Sequence, residues 1–311
     1  MRRGRFPSAN SLWVEPGLER LEDAILCTVA YDDVFDYALT ASQVHRYLVA
    51  FESTHQAVES ALHEGDWAAT RLEQQNGLIA LRGRGDLFQI RTHRAAVAAK
   101  LWPLAQRFGN AIAALPFVRG IALTGALAVG NSDADDDVDY LIITATGRLW
   151  LTRAMIIGLV VKPAARRGYE VCPNYLLTER RLTFRERNLY VAHELAQMVP
   201  LSGMDLYWHL RARNAWTSRF LPNASGLPRR IERSMTAGSS LGSLGELVLG
   251  TFIGGQLERL ERRRKVRRFA AQERGTTTTC FDADHCKGHF ESNDSLIQQA
   301  YAERLHALAE A

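Results

Sequence analysis

The sequence predicts a mixed α/β fold of the α+β type, and three observations predict it. Residues 18–92 contain three helical segments followed by strand-forming sequence. Residues 93–180 alternate between helical and strand-like hydrophobic periods, which is typical of a mixed sheet with flanking helices. Residues 181–268 are helical by periodicity, and 269–311 contain a polar loop and a terminal helix. These four ranges are the predicted domains, and a flexible basic N-terminus at 1–17 precedes them.

The N-terminal block divides into short elements with clear boundary signals. Apolar residues at helical spacing predict a first helix over 18–34. Thr40 and Gln43 form a capping-box pattern at the start of a second helix, and a third helix follows. The alternating segment 77–91 predicts a β-hairpin. Three helices followed by a hairpin are typical of a winged-helix-like unit.

The later elements follow from the same periodicities and from proline and glycine stops. Their alternation between strand and helix predicts a mixed sheet in the central block. In chain order, the predicted elements are a helix over 93–115, strands Val118–Leu123 and Val138–Thr144, a helix near Leu149–Val161, a strand Tyr169–Leu177, helices over 184–221 broken at Pro200, a loop over 223–240, a helix over 241–268, a polar threonine tract at 276–279 and a helix from Asp294.

The composition limits the classes of protein to which this chain can belong. The chain has 311 residues, of which 47% are hydrophobic and 23% charged, as in ordinary globular proteins of two or three folding units. Its net charge is only +4, which hardly favours an anionic partner. The four cysteines are scattered, no secretory leader is recognisable, and the apolar stretch Leu241–Leu257 is too short to span a bilayer. We therefore expect a cytoplasmic protein with reduced thiols and no membrane partner.

An acidic cluster opens the second predicted strand of the central block. Five aspartates lie within seven residues, at Asp133, Asp135, Asp136, Asp137 and Asp139. In an extended chain Asp137 and Asp139 point to the same face, where they repel by roughly 2–3 kcal/mol at an effective dielectric near 20. A divalent cation relieves that repulsion, and carboxylate oxygens are the ligands that Mg²⁺ prefers. We therefore predict a metal site at Asp137 and Asp139, whereas the three earlier aspartates suit a solvated loop.

The segment from Thr124 to Asp139 resembles the signature of the DNA polymerase β-like nucleotidyltransferase superfamily. That signature is a pair of small residues, a gap on the scale of ten residues and two carboxylates one residue apart. Here Gly125 and Ala126 match the small pair, and Asp137 and Asp139 match the carboxylates. The segments FDYALTASQVHRYL, AHELAQMVPL, ARNAW and FLPN, with the terminal basic helix, resemble a prokaryotic subfamily whose substrates are poorly defined.

The resemblance implies a nucleotidyltransferase-type mixed sheet and a reaction. A nucleoside monophosphate would pass from a nucleoside triphosphate to an acceptor, with release of pyrophosphate. Asp137 and Asp139 would be the catalytic metal ligands for Mg²⁺, with two ions possible. The Thr124-Gly125-Ala126 turn would bind the nucleotide phosphates through backbone N–H groups. The acceptor is left open among a small molecule, a protein and RNA.

Two positions depart from the family pattern. Relatives usually carry serine where this chain has Ala126, so one hydroxyl contact to phosphate is missing. They also carry a third carboxylate on the next strand, where Asn174 fits best by position. Glu170 shares its strand parity but lies roughly 13 Å along the strand. The alternative hypothesis is therefore a catalytically inactive nucleotidyltransferase-fold protein that acts as a nucleic-acid-binding regulator.

Two further segments have a structural explanation that competes with a functional one. Cys280, His285, Cys286 and His289 lack the ligand spacing of known structural zinc sites, so incidental residues of a polar segment are the favoured interpretation. The basic run 262–268 suits nucleic-acid phosphates and the solvated end of a helix equally well.

The winged-helix-like unit carries few side chains that could read DNA. Its candidate readers are Gln43, His45 and Arg46 on a helix and Arg82 and Arg84 on the predicted hairpin. That set is small for a DNA reader, which favours a packing or substrate-positioning role.

Four further charged or ionisable positions have a bland explanation as well as a functional one. The His193-Glu194 pair is not a zinc-protease motif, because Gln197 stands where the second histidine is required. Arg153 and Lys162, on the helix between two strands, suit either a triphosphate or solvent.

Overall fold

The computed structural model describes residues 17–64, 66–228, 240–272, 280–287 and 293–310. Within these ranges the fold is mixed α/β, with one three-stranded and one six-stranded sheet, which confirms the predicted class. The predicted flexible N-terminus, apart from Gly17, and the threonine tract lie outside the described residues. None of the described helices is both long and apolar enough to cross a membrane.

The N-terminal block builds the smaller sheet. Its central strand β3 pairs antiparallel with β1 on one side and with β2 on the other. The predicted capping box is present, because the Thr40 hydroxyl accepts from the Gln43 backbone N–H and the Gln43 side chain accepts from the Thr40 backbone. The elements are α1 (Leu21–Asp33), β1 (Leu39–Thr40), α2 (Ala41–Arg46), α3 (His55–His63), α4 (Asp66–Arg71), β2 (Leu72–Gln75) and β3 (Leu78–Leu81).

The predicted hairpin over 77–91 is wrong. Strand β3 pairs with the preceding strand β2, and the two residues between them, Asn76 and Gly77, both have positive φ (53° and 76°). Positive φ at both central positions is the requirement of the two-residue turn that Asn-Gly favours in hairpins. The sequence after β3 instead begins the long helix α5 (Leu87–Ala113), so the predicted boundary between 92 and 93 falls inside a helix.

The larger sheet has the strand order β7-β4-β5-β6-β9-β8. Strands β5 and β6 are parallel, and every other neighbouring pair is antiparallel. The elements are β4 (Val118–Leu123), α6 (Gly125–Val129), β5 (Val138–Thr144), α7 (Leu149–Ile156), a π-helical turn (Ile157–Val161), α8 (Lys162–Ala165), β6 (Val171–Thr178), α9 (Leu189–Gln197), β7 (Val199–Ser202), α10 (Met204–Arg213), a 3₁₀ segment (Ala215–Arg219), α11 (Ser240–Leu249), α12 (Phe252–Gln272), β8 (Cys280–Phe281), β9 (His285–Lys287) and α13 (Asn293–Glu310).

Two parts of the larger sheet differ from the sequence prediction. Pro200 does not simply break a helix; it lies within strand β7. This strand is at the edge of the sheet, the position where a residue without an N–H is tolerated. The segment predicted as a polar loop contributes β8 and β9, which add two short strands beyond β6.

Alternate residues of β5 face two different cores. Tyr140 and Ile142 pack in one core, which includes residues of α5 and α7. Leu141 and Ile143 pack in the other, beneath α9 and α10. Asp139 has the parity of Leu141 and therefore lies at the end of this second face, where the apolar core stops.

Candidate functional site

Asp137 and Asp139 lie where β5 begins, beside the first residues of β6. Cys172 of β6 is paired with Asp139 in the parallel register. One carboxylate oxygen of each aspartate and the Cys172 sulfur all lie within 4.8 Å of one another. The two carboxylates therefore converge on one point, as alternation along a strand requires.

The Thr124-Gly125-Ala126 turn lies directly against this pair. The Thr124 backbone N–H donates to the Asp139 carbonyl oxygen at 3.0 Å. Gly125, the first residue of α6, has φ +68°, and a Cβ added there would lie 2.5 Å from Asp139 Oδ2. Both the positive φ and the close approach require glycine. The turn and the acidic pair therefore form one site, although thirteen positions separate Thr124 from Asp137 in the sequence.

Asp139 is electrostatically unusual. Burial, together with the negative charges of Asp137 and Glu194, raises the pKa of its carboxyl to about 8. Its Oδ1 atom is buried and has no hydrogen-bond partner among the described residues. A buried carboxylate oxygen without a partner is costly, and pairing with a cation removes most of that cost.

The donor set fits a hard divalent ion. Carboxylate oxygens of Asp137 and Asp139 supply the hard ligands, whereas the Cys172 sulfur is a soft one. Burial, together with the two neighbouring carboxylates, raises the pKa of the Cys172 thiol above its usual range, so the thiol stays protonated. Asp137 and Asp139 would thus hold Mg²⁺, with Cys172 as a neutral neighbour.

The earlier aspartates shape the loop before β5. Asp133 pairs with Arg94 at 2.9 Å, and its backbone N–H donates to the Asp136 carboxylate at 2.8 Å. Asp135 is exposed. None of the three belongs to the group of side chains that converges with Asp139.

Neither residue considered for a third carboxylate position joins the group. The register of β6 shifts after Cys172, so that Tyr175 pairs with Leu141. Asn174 consequently lines a small neighbouring cavity of about 60 Å³. Glu170 is exposed, and its backbone carbonyl accepts a hydrogen bond from the Val138 N–H.

The place of Glu194 of α9 near this site was not predicted from the sequence, where the residue was considered only as part of a zinc-protease motif. Glu194 lines the small cavity together with Thr124, and it also lines a second cavity together with Gly125. Burial raises the pKa of Glu194 to about 7, against a lowering by Lys287. Its charge raises the pKa of Asp139, although Glu194 is not among the side chains that converge within 4.8 Å. The available signal was a glutamate next to a histidine within the mostly apolar stretch LYVAHELA of α9.

The candidate DNA readers are engaged within the fold. Gln43 caps α2. His45 lies 3.0 Å from the Ser53 carbonyl oxygen, and Arg46 donates to the Gly226 carbonyl. The two arginines of the predicted hairpin form ion pairs with acidic neighbours. These contacts support a packing role.

The cysteine and histidine segment does not assemble a metal site among the described residues. His285 and Cys286 are successive residues of β9, so they face opposite sides of the sheet. The Cys280 side chain and His289 lie outside the described part of the chain. Within that part, the cluster of Asp137, Asp139 and Cys172 is the one group of three such side chains close enough to hold an ion.

The predicted basic run partly packs against the fold. In 262–268, Val266 contacts the core, and Arg264 pairs with Glu261 at 2.8 Å. Arg263 and Arg267 are exposed. Arg153 and Lys162 belong to the helical segment that covers the opposite face of the sheet from Asp139.

A second basic surface was not predicted. Near the C-terminal end of β6, an open groove of about 600 Å³ is lined by five arginines. Arg180 is paired with Asp284, and Arg185 with Asp282. The other three are exposed and have no side-chain hydrogen bond or ion pair to the described residues; they are Arg181, Arg187 and Arg213.

Comparison with known proteins adds no assignment to this geometry. No protein-family model matches the chain, and no curated protein or solved structure gives a significant match.

Proposed function

We propose that this protein is a Mg²⁺-dependent nucleotidyltransferase that moves a nucleoside monophosphate from a nucleoside triphosphate to an acceptor. The observation that carries the proposal is the convergence of Asp137 and Asp139 against the Gly125 turn, with a buried Asp139 oxygen that has no partner among the described residues. The two features are the parts that phosphoryl chemistry needs, namely oxygen ligands for a cation and a backbone turn without bulk.

The proposal includes a finer fold assignment. The order helix, strand, helix, helix, strand, strand over residues 21–81 supports a winged-helix-like unit, with α4 as an additional turn of helix. The order strand, glycine turn, strand, helix, strand over 118–178 supports a nucleotidyltransferase-type sheet. The proposed compartment is the cytoplasm, where the free thiols Cys27, Cys172 and Cys286 stay reduced.

The chain's own residues have distinct roles in this reaction. When bound, Mg²⁺ would offset the charge that develops on the phosphates as pyrophosphate leaves. Gly125 and Ala126 would let backbone N–H groups approach the phosphates, and Ala126 contributes no hydroxyl. Glu194, with a pKa raised to about 7 by burial, would accept the proton of the acceptor hydroxyl.

Substitution of the two proposed metal ligands, Asp137 and Asp139, provides the direct test. Calorimetry should detect binding of ATP or another nucleoside triphosphate to the wild type only when Mg²⁺ is present. In Asp137→Ala/Asp139→Ala this binding should weaken at least about a hundredfold, since the loss of several kcal/mol of charge stabilisation corresponds to such factors. Asp135→Ala/Glu170→Ala removes the same charge from two exposed neighbours and should bind as the wild type does.

Unchanged binding in the first double variant, with its circular dichroism intact, would refute the assignment. The acceptor needs a separate experiment. Incubation with each labelled nucleoside triphosphate and a cell extract should transfer label to one species in the wild type and to none in Asp137→Ala/Asp139→Ala.

A second candidate is the non-catalytic nucleic-acid-binding regulator. The observation that favours it is the arginine groove, where Arg181, Arg187 and Arg213 are exposed and without side-chain partners among the described residues. If the protein has this function, it should bind RNA or DNA in a salt-sensitive way and release no pyrophosphate. The binding should weaken in Arg187→Glu/Arg213→Glu. The run 262–268 is the alternative contact, so Arg263→Glu/Arg267→Glu is the matched control. Pyrophosphate release that needs Asp139 would decide for the enzyme.

A further inference from the structure

Helices α11 and α12 leave a large apolar surface exposed. In the described part of the chain eleven large apolar side chains are exposed, and seven of them lie on these two helices. Such a concentration differs from the single exposed apolar side chains of most surfaces, and it marks a site that binds a protein or a membrane. The six that are more than half exposed form the apolar patch: Leu244, Leu247, Val248, Phe252, Ile253 and Leu260.

The opposite sides of both helices are fixed to the fold by carboxylates. Glu246 of α11 pairs with Arg119 at 2.7 Å. Glu258 of α12 is buried and accepts from the backbone N–H groups of Trp150 and Leu151 in the first turn of α7, at 3.1 and 2.7 Å. Hydrogen bonds to an ionised group are among the strongest in proteins. The packing of the chain itself therefore leaves the apolar patch facing solvent.

The exposed side of α12 changes from apolar to basic along its length. Residues that follow one another at spacings of three or four lie on one side of a helix. On α12 this series consists of Ile253, Leu257, Leu260, Arg264 and Arg267, and all five are exposed. The distance from the first to the last is roughly 21 Å at 1.5 Å per residue. One side of the helix therefore offers apolar contacts and positive charge to the same partner.

The acids of the two helices do not offset this charge on the outer surface. Glu246 and Glu258 are held by the fold, and Glu261, the remaining carboxylate of α11 and α12, pairs with Arg264 at 2.8 Å. Arg259, Arg263 and Arg267 are exposed. A second copy of this surface would bring arginines against arginines or against apolar side chains, and both arrangements are unfavourable. A partner with an apolar layer beneath negative groups fits better.

The positive charge extends beyond α12 at this end of the molecule. Glu179 lines the arginine groove and lies 4.0 Å from Arg119, which also binds Glu246 of α11. The groove therefore adjoins the base of α11, and its exposed arginines add to the basic surface. An extended anionic partner is favoured over a small anion.

We propose that α11 and α12 bind the surface of a membrane that contains anionic phospholipids. The apolar patch enters the boundary between the headgroups and the acyl chains, and the arginines bind the lipid phosphates. The sequence analysis expected no membrane partner because it considered only a spanning segment. Helices that lie on a bilayer need no such segment.

This attachment leaves the candidate site accessible. Arg119, which holds α11, follows Val118, and Val118 pairs with Thr144 at the end of β5. Asp139 lies near the other end of that strand. The membrane therefore meets the end of the sheet that is remote from the acidic pair. The proposal does not depend on nucleotidyl transfer, so either can fail without the other.

Sedimentation of the full chain with vesicles tests the proposal. Vesicles of phosphatidylserine and phosphatidylcholine in equal amounts should bind the wild type at least about tenfold more strongly than phosphatidylcholine alone, because each cation near an anionic surface contributes about fivefold. Salt should weaken this binding. Leu247→Ser/Phe252→Ser changes two side chains that are each 75% exposed. It should lower binding to the anionic vesicles at least about tenfold. Leu296→Ser, at an exposed leucine of α13, should bind as the wild type does.

The arginines have their own variant and control. Arg263→Glu/Arg267→Glu should lower binding to the anionic vesicles at least about tenfold and should leave the weak binding to phosphatidylcholine unchanged. Arg82→Glu/Lys100→Glu makes the same change of charge at exposed positions outside α11 and α12, and it should bind as the wild type does.

The proposal is overturned if the wild type binds both kinds of vesicle equally or binds neither. It is also overturned if Leu247→Ser/Phe252→Ser, folded by circular dichroism, binds the anionic vesicles as the wild type does. A wild-type dimer that ignores vesicles and dissociates in this variant would assign the patch to a second copy of the chain. RNA binding without vesicle binding, lost in Arg263→Glu/Arg267→Glu, would assign the basic side to nucleic acid. If the variants fail to fold, the lipid preference of the wild type decides.

Discussion

Acidic side chains at the two ends of the parallel strand pair β5 and β6 have opposite environments. At the C-terminal end, Asp284 accepts hydrogen bonds from the Thr178 hydroxyl at 2.7 Å and from two nitrogens of Arg180 at 2.8 Å. At the N-terminal end, Asp139 has a buried oxygen without a partner among the described residues and has Asp137 as its neighbour. The Asp284 carboxylate is therefore paired with hydrogen-bond donors, whereas one oxygen of the Asp139 carboxylate is not.

The pKa values follow the same division. Burial tends to raise the pKa of Asp284, but the hydrogen bonds from Arg180 and Thr178 outweigh it, and the pKa lies below the usual range. Burial raises the pKa of Asp139, and no cation among the described residues opposes it. Paired acids of the first kind hold the fold together. An acid of the second kind lowers stability unless a ligand binds, which is the pattern expected of a functional site.

The largest expected effect concerns the pH dependence of the metal-free protein. The pKa of Asp139 is about 8 in the folded state and near 3.8 in the unfolded state, so between these values the folded state binds more protons. The stabilisation is complete below pH 4 and is lost as pH rises through 8, so the free energy of unfolding should fall by roughly 3–4 kcal/mol between pH 5 and pH 8. Urea unfolding in EDTA at pH 5 and pH 8 measures it.

Asp139→Asn is the control for this pH effect, because asparagine does not titrate. The variant should lose less stability between pH 5 and 8 than the wild type does. Mg²⁺ at pH 8 should stabilise the wild type but not the variant, since only a ligand of the folded state shifts the equilibrium. Equal pH slopes in the two proteins would contradict the assigned electrostatics of Asp139.

The second effect concerns Asp284, at the C-terminal end of the strand pair β5 and β6. Asp284→Ala removes the acceptor of the buried Thr178 hydroxyl and should lower the free energy of unfolding by about 1–2 kcal/mol. The exposed Arg180 adds little to this figure because solvent screens its ion pair. Thermal unfolding measures the loss, with Asp135→Ala as the exposed control. Binding of nucleoside triphosphate with Mg²⁺ should not change, and a loss of binding would show that the two ends are coupled.

The elements that the sequence predicted correctly are those that depend on interactions between residues close in sequence. The strands Val118–Leu123 and Val138–Thr144 have the predicted bounds, because apolar runs with β-branched residues between turn signals favour strands strongly. The capping box of Thr40 and Gln43 is also present as predicted. The hairpin predicted over 77–91 is wrong because the Asn76-Gly77 turn joins β3 to the preceding strand β2, and residues after β3 begin a helix at Leu87.

The partners of the acidic pair could not be predicted in the same way. Cys172 lies beside Asp139 because of the register of β5 and β6, and a shift after it displaces Asn174 from the position that counting along the strand assigns. Glu194 arrives from α9, whose placement depends on the core beneath α9 and α10. Register and helix docking are decided by packing of the whole chain, which a local pattern does not contain.

The smallest expected effect concerns the contact between the Gly125 turn and the Asp139 carboxylate. Two glycines at opposite ends of β5 allow a matched comparison. Gly125 and Gly147 have similar positive φ values, 68° and 73°, so alanine costs about 1 kcal/mol of backbone strain at either position. A Cβ at 147 meets nothing within 4 Å, whereas a Cβ at 125 meets Asp139 Oδ2 at 2.5 Å. Gly125→Ala should therefore cost roughly 1 kcal/mol more than Gly147→Ala in urea unfolding.

A double-variant cycle locates that extra cost. Combining Gly125→Ala with Asp139→Ala removes the carboxylate that the new methyl group meets, so the two changes should be non-additive, with a coupling of about 0.5 kcal/mol or more. Gly147→Ala lies at the other end of the strand and should combine additively with Asp139→Ala. Additivity in both cycles would mean that the turn and the carboxylate are not in contact. The phosphate-binding turn would then be separated from the metal ligands, and the proposed function would lose the geometry that joins them.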